Sequence, residues 1–224
     1  MENVLEKESK DGIAVYSRWL LNIYDAFVLG YNNRYVWRCP TSLALSLYEK
    51  HTSRNHLDVG VGSGYYLHRA KLVAGERRVG LMDMSENCLS YAAERIRHYH
   101  PETYRANILG ELPYGIMPFD SVSISYVLHC IPGDMTKKEA AIRNLASVMN
   151  RGGTLFGTTL LPHSAAENWQ SHLQMNIYNR RGIFHNTADT LGELRMSLSR
   201  HFEIISLEMV GCAAVFVVYK ADRS

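Results

Sequence analysis

The run His56-Leu57-Asp58-Val59-Gly60-Val61-Gly62-Ser63-Gly64 carries an apolar strand end into three alternating glycines, and few backbone paths can follow it. Glycine tolerates the positive φ that a tight strand-to-helix turn needs, and it lets an extended ligand lie directly on the main chain. Gly60, Gly62 and Gly64 therefore mark a turn closing around a nucleotide-like cofactor. A dinucleotide turn would read G-x-G-x-x-G, and a phosphate-binding P-loop would place a Lys-Ser/Thr pair after its last glycine. Here the spacing is G-x-G-x-G and no such lysine follows. Asp58, two positions before the first glycine, would repel a pyrophosphate but can accept hydrogen bonds from an ammonium group. The turn favours a cofactor that carries an amino acid.

Further landmarks follow in order. Arg78-Val79-Gly80-Leu81-Met82-Asp83 is a short strand ending in a carboxylate, with Met84 beside it. Tyr104-Arg105-Ala106-Asn107-Ile108-Leu109 ends a third, Phe119 to Ser125 forms a fourth that exits through Tyr126-Val127-Leu128-His129, and Leu145 to Leu155 reads as helix, glycine turn and fifth strand. Strands that alternate with helices build a parallel sheet, since each crossover needs a connecting helix. Ser85 stands as N-cap of a helix reaching Arg97, while Thr136 with Glu139 and Thr190 with Glu193 have capping-box spacing. Glu203 to Met209 and Ala213 to Tyr219 flank a short Gly-containing turn and read as an antiparallel hairpin.

This series resembles the class I S-adenosylmethionine-dependent methyltransferases, over about residues 54 to 160 by motif and through the tail by pattern. The resemblance implies an α/β fold: a three-layer Rossmann-like sandwich whose mostly parallel sheet carries an antiparallel C-terminal hairpin strand. It implies S-adenosylmethionine as cofactor, with Asp58, Gly60, Gly62 and Gly64 at its amino-acid end, Asp83 and Met84 at the ribose, and Asn107 and Ile108 at the adenine. The family often has Asp where Asn107 stands, and an Asn carbonyl oxygen can accept the same hydrogen bond. Tyr24-Asp25 is similar to a Tyr-Asp pair in small-molecule enzymes of the quinone-biosynthesis type, where the tyrosine lies over the cofactor. Trp37 would offer an aromatic face to the sulfonium, and Arg38 a partner for the cofactor carboxylate.

The chain reads as a single domain over residues 1–224, with an N-terminal helical cap at 13–53, a cofactor core at 54–159, an insertion at 160–189 and a C-terminal helix and hairpin at 190–224. One cap helix is expected from about Ile13 to Val28 and another opening near Pro40, with Trp19 and Phe27 used in packing. Cap and insertion can both cover a crevice at the carboxyl ends of the strands. Tyr16, Tyr178, His163 and His185 are thus candidates for contact with the methyl acceptor. His129, just past the fourth strand, has an ordinary pKa of roughly 6.5 and is the candidate general base, or a wall of the pocket.

Composition restricts the acceptor and the compartment. A net charge of +2 without a long basic run leaves no footprint for nucleic acid. The Asn/Asp-Pro-Pro-Tyr/Phe motif of nucleic-acid and glutamine methylation is absent where Ser125-Tyr126-Val127-Leu128-His129 stands, and the fourth and fifth strands exit through Leu128-His129-Cys130 and Leu160-Leu161-Pro162 without the carboxylates that metal-assisted catechol methylation would need. Four scattered cysteines read as free thiols, the N-terminus lacks a signal peptide's apolar core, and Val210 to Tyr219 is too short to span a bilayer. The expectation is a cytoplasmic enzyme methylating an O, N, C or S nucleophile of a small molecule, possibly one of specialised metabolism, with no metal, nucleic-acid or membrane partner; the oligomeric state is not legible. A methyltransferase-fold cyclase, lyase or isomerase, or a cofactor-binding subunit without methyl transfer, is the alternative.

Overall fold

The structure is a computed structural model that describes residues 25–221 other than 163, 165 and 167, with side chains described from residue 29 onward. Seven strands form one sheet: β1 (Asn55–Val59), β2 (Arg78–Asp83), β3 (Glu102–Arg105), β4 (Phe119–Ser125), β5 (Met149–Leu160), β6 (Glu203–Val210) and β7 (Ala213–Tyr219). Their order is β3-β2-β1-β4-β5-β7-β6. The β1, β2, β3, β4 and β5 ladders are parallel, whereas β7 runs antiparallel to both β5 and β6. The expected hairpin therefore inserts its second strand beside β5, and the sheet is the expected one.

Two apolar layers sandwich it. On one face α1 (Thr41–His51), α2 (Tyr65–Arg69) and α3 (Glu86–Arg95) cover Val79, Leu81, Phe156 and Val217. On the other, α4 (Met135–Ser147) and α6 (Leu191–Ser199) cover Leu57, Val59, Val122 and Phe216. Strand side chains alternate between faces, so His56 and Asp58 lie opposite Leu57 and Val59, beneath α1.

Several helix starts follow from side-chain caps. Ser85 Oγ accepts from Cys88 N at 3.3 Å, and Thr190 with Glu193 closes a reciprocal capping box. The expected box at Thr136 and Glu139 does not form: α4 starts earlier, because the Asp134 carboxylate accepts from Lys137 N at 3.0 Å. α3 stops at Arg95, and Arg97–Tyr99 tightens into a 3-10 turn. The cap helix expected from about Ile13 to Val28 lies mostly outside the described residues; from Asp25 the chain forms a π-helical stretch, Asp25–Val36. Within the 160–189 insertion lies α5 (Trp169–Arg180), which the sequence reading left undivided; Asn168 and Ser171 cap it reciprocally. Its apolar Trp169, Leu173 and Ile177 face outward, so no buried stripe announces it.

Candidate functional site

The turn after β1 opens a cavity at the carboxyl end of the sheet, where open α/β sheets hold ligands. Gly60 N donates to Met82 O at 2.8 Å and Gly64 N to Val61 O at 2.8 Å, which closes the turn against β2. All three glycines have positive φ, +70°, +52° and +68°, yet their surroundings differ. A Cβ on Gly60 would lie 2.1 Å from Val127 Cγ2, and one on Gly64 2.9 Å from Ala92 Cβ. A Cβ on Gly62 would meet nothing within 4 Å. Gly60 and Gly62 line the cavity; Gly64 does not, and its bareness serves the contact with α3 instead.

Asp83 links the glycine turn to the start of α3. Its Oδ1 accepts from Ser85 N at 2.8 Å and its Oδ2 from Gly62 N at a long 3.4 Å. Burial pushes this carboxyl up to about 6, against the pull of the backbone N–H groups around it. Asp58 is 3% exposed. Its Oδ1 accepts from Ser123 Oγ at 2.6 Å and from Tyr48 Oη at 2.8 Å. Burial raises it to about 6 as well, with the charge of Asp83 adding to the effect. Asp58, Asp83, Met84, Asn107 and Ile108 all line the cavity. Asn107 Oδ1 already accepts from Leu109 N at 3.0 Å, so only its second lone pair faces a new donor.

The cavity collects side chains that sequence reading did not single out. Tyr48, stacked on Tyr66 with ring centroids 5.1 Å apart, forms one wall. Tyr126 holds a left-handed φ of +59° at the exit of β4, rare for a bulky residue. Leu29 reaches in from the N-terminal side and Ile183 from the insertion. No local pattern marks Leu29, Tyr48 or Ile183 as cavity residues.

Other expected site residues lie elsewhere. Trp37 is 2% exposed, packs against Phe184 at 6.2 Å and is absent from the cavity wall; its carbonyl accepts from Cys212 N at 2.8 Å and so anchors the β6–β7 turn. Arg38 is exposed and also outside the cavity. Tyr178 packs edge-on against Phe184 at 4.9 Å and accepts from Gln174 Nε2, and His185 bonds Gly182 O at 3.1 Å through Nε2. Neither lines the cavity. Tyr16, Tyr24 and His163 lie outside the described residues.

His129, the candidate general base or pocket wall, lies off the cavity lining. The imidazole is 3% exposed, off the cavity wall and edge-on to Phe184 at 4.5 Å. Its Nδ1 accepts from Leu160 N at 3.3 Å, and burial lowers its pKa to about 3. An imidazole so held has little capacity to take a proton at neutral pH. Its carbonyl accepts from His185 N at 2.8 Å, fastening the insertion to the exit of β4.

Comparison with known proteins gives this geometry a family. Residues 57–155 match the family model described as a methyltransferase domain. The chain is 33% identical over 221 residues to demethylluteothin O-methyltransferase of Streptomyces thioluteus, covering 99% of this chain and 96% of that protein. It is 32% identical over 211 residues to the physcion biosynthesis cluster O-methyltransferase of Aspergillus chevalieri, covering 93% and 95%. The solved structure of the DhpI–SAH complex shares the fold over 100% of both chains, with a TM-score of 0.67 at 15% identity. With relatives matched over nearly their whole length and a glycine turn opening on the cavity of a 3-2-1-4-5-7-6 sheet, the chain belongs to the class I S-adenosylmethionine-dependent methyltransferase family, among its small-molecule members.

Proposed function

We propose that this protein transfers a methyl group from S-adenosylmethionine to a hydroxyl oxygen of a small organic acceptor. The observation that carries the cofactor is the glycine turn, whose Gly60 and Gly62 line one cavity together with Asp58 and Asp83, and where a Cβ on Gly62 would meet nothing within 4 Å. Asp83 is placed to accept from ribose hydroxyls and Asp58 to face the ammonium group. Asn107, Ile108 and Leu109 bound the adenine end. Oxygen is the proposed acceptor atom because the two relatives above are named O-methyltransferases. The N-terminal segment and the 160–189 insertion cap the acceptor end through Leu29 and Ile183. The four cysteines, all unpaired, suit a reducing compartment such as the cytoplasm, and no described helix is long and apolar enough to cross a membrane.

S-adenosylmethionine would supply a methyl group on a good leaving group: an acceptor hydroxyl that has already lost its proton to solvent would form the oxygen–carbon bond, and the carbon–sulfur bond would break with its electron pair going to sulfur. With His129 held in the core, the protein's part is alignment and exclusion of water by Tyr126, Ile131 and Ile183. Acidic hydroxyls, phenolic or enolic, are therefore the favoured acceptors. Methyl-labelled cofactor offered with a panel of phenols, enols, amines and thiols tests this. Label on oxygen is expected; label confined to nitrogen or sulfur overturns the acceptor assignment.

Two further results are expected from the acidic pair. Asp83→Ala should weaken binding of S-adenosylhomocysteine about tenfold to 100-fold, the loss of one charge-assisted hydrogen bond, and Asp83→Asn should lose less. Ionised Asp58 and Asp83 are the binding forms. Since both carboxyls sit near 6 when the site is empty, a cationic ligand must displace their protons at and below about pH 6. Affinity should be full above about pH 7 and fall as pH drops through 6, with proton release seen by calorimetry in buffers of different ionisation enthalpy. Affinity that rises on acidification would contradict the assignment of both acids.

A further inference from the structure

A line of polar side chains runs through the middle of the sheet, where parallel strands covered on both faces are usually apolar. His56 is wholly buried on β1, and its register partner on β4 is Ser121, just as Ser123 is the partner of Asp58. His56 Nδ1 lies 2.8 Å from Ser121 Oγ, and Nε2 lies 3.1 Å from Ser123 Oγ. Ser121 Oγ accepts from Ser53 N at 2.8 Å and lies 2.9 Å from Ser53 Oγ. Tyr48 closes the line from above, with its ring edge-on to His56 at 6.2 Å.

Counting protons gives the direction at Ser123. Ser123 spends its single hydroxyl proton on Asp58 Oδ1, so at its contact with His56 the imidazole must be the donor. The neutral imidazole then gives its one N–H, at Nε2, to Ser123; Ser121 has spent its own proton on Ser53 Oγ, whose hydroxyl donates in turn to Asn55 O, so Nδ1 meets an oxygen with no proton left to give. Burial agrees, lowering the His56 pKa to about 3, with the charge of Arg77 adding to it. The donor direction thus runs from the imidazole through Ser123 to Asp58. Apolar residues would fill the same volume without burying four polar groups, so the line needs a task that hydrophobic packing cannot perform.

We propose that His56 is a positioning residue for Asp58: by orienting the Ser123 hydroxyl it ties Oδ1 into the sheet and leaves Oδ2 for the cofactor's ammonium group. This rests on the cofactor reading above and deepens it. The groups that bear on the Asp58 charge are Tyr48 from α1, Asp83 from the end of β2 and Ser123 from β4. Tyr48 and Ser123 donate to Asp58 and favour its ionised form, whereas Asp83 opposes ionisation. Loss of an oriented donor therefore moves Asp58 toward its protonated form.

The test is calorimetric titration of the full-length protein with S-adenosylhomocysteine between pH 5 and 8, using His56→Leu, His56→Gln, Ser123→Ala and the double variant His56→Leu/Ser123→Ala. His56→Leu should bind about tenfold more weakly and shift the acid limb of the affinity profile upward by about one pH unit. His56→Gln, which keeps an N–H donor, should recover most of both. Ser123→Ala should reproduce the leucine variant, and the double variant should be no worse than Ser123→Ala alone, because the histidine acts through the serine. Should His56→Leu fail to fold, His56→Gln and Ser123→Ala still decide the question, since neither leaves a large cavity. A folded Ser123→Ala and a folded His56 variant with wild-type affinity and an unmoved pH profile overturn the inference and leave the cofactor reading standing. No binding by the wild-type protein takes both away.

Discussion

Gly62→Val should abolish S-adenosylhomocysteine binding, a loss of at least about 100-fold, while the protein keeps its fold. The three glycines of the turn share left-handed backbone, so a side chain at any of them carries ~1–2 kcal/mol of strain, more for a β-branched residue. They differ in what that side chain would strike. At Gly60 it would enter Val127 and at Gly64 it would press Ala92, whereas at Gly62 it would meet nothing within 4 Å. Gly60→Val and Gly64→Val should therefore lose stability first, and Gly62→Val should lose ligand first. Melting curves with and without the ligand separate the two: Gly62→Val should melt within several degrees of the parent when empty and gain no thermal shift from ligand. Binding within threefold of the parent would mean that the ligand does not cross this turn.

Lys138→Met should cost ~3–5 kcal/mol of stability, as expected when one member of a buried ion pair is removed. Lys138 on α4 is fully buried, pairs with Asp189, which is 2% exposed, and donates to His185 O at 2.9 Å. Burial pushes Lys138 down and Asp189 up, each toward its neutral form, and their mutual attraction opposes both shifts. Without the lysine, Asp189 loses that attraction and takes up a proton in the folded state at a pH above its unfolded value. The folded variant then binds more protons than the unfolded chain, so its stability deficit should grow as pH rises from about 5 to 8. Lys138→Met/Asp189→Leu should recover much of the loss, because an apolar pair needs no charge compensation. Denaturant titrations at two pH values check this; a deficit independent of pH would mean that the aspartate does not carry the cost. The pair also holds residues 185–189 against α4, close to the position from which Ile183 reaches the cavity, so the single variant should bind acceptor less well even where it remains folded.

The order of the landmarks, the glycine turn, the acid ending β2 and the final hairpin were all readable from the chain alone. Each of these is a local demand: a positive φ needs glycine within a turn of a few residues, a buried strand needs an apolar run, and a helix start needs a capping oxygen. The capping box at Thr190 and Glu193 is such a case. Thr136 and Glu139 show the limit, since the same spacing was available there but Asp134 stood nearer the true helix start.

The tasks of the individual side chains were decided by tertiary structure. His129 has the residue type and strand-end position of a base, yet its Nδ1 accepts from Leu160 N and its ring packs edge-on to Phe184. Trp37 has an aromatic face suited to a sulfonium, but that face meets Phe184. Which glycine meets ligand depends on Val127 and Ala92, and the state of Asp58 depends on Tyr48, Ser123 and His56, brought together from α1, β4 and β1. Backbone conformation is set by neighbours in sequence, so the chain itself determined the turn, the strands and their acids. Burial, proton sharing and occupied volume are set by neighbours in space, and only the folded sheet decided which of those residues face the cavity and which are spent inside the core.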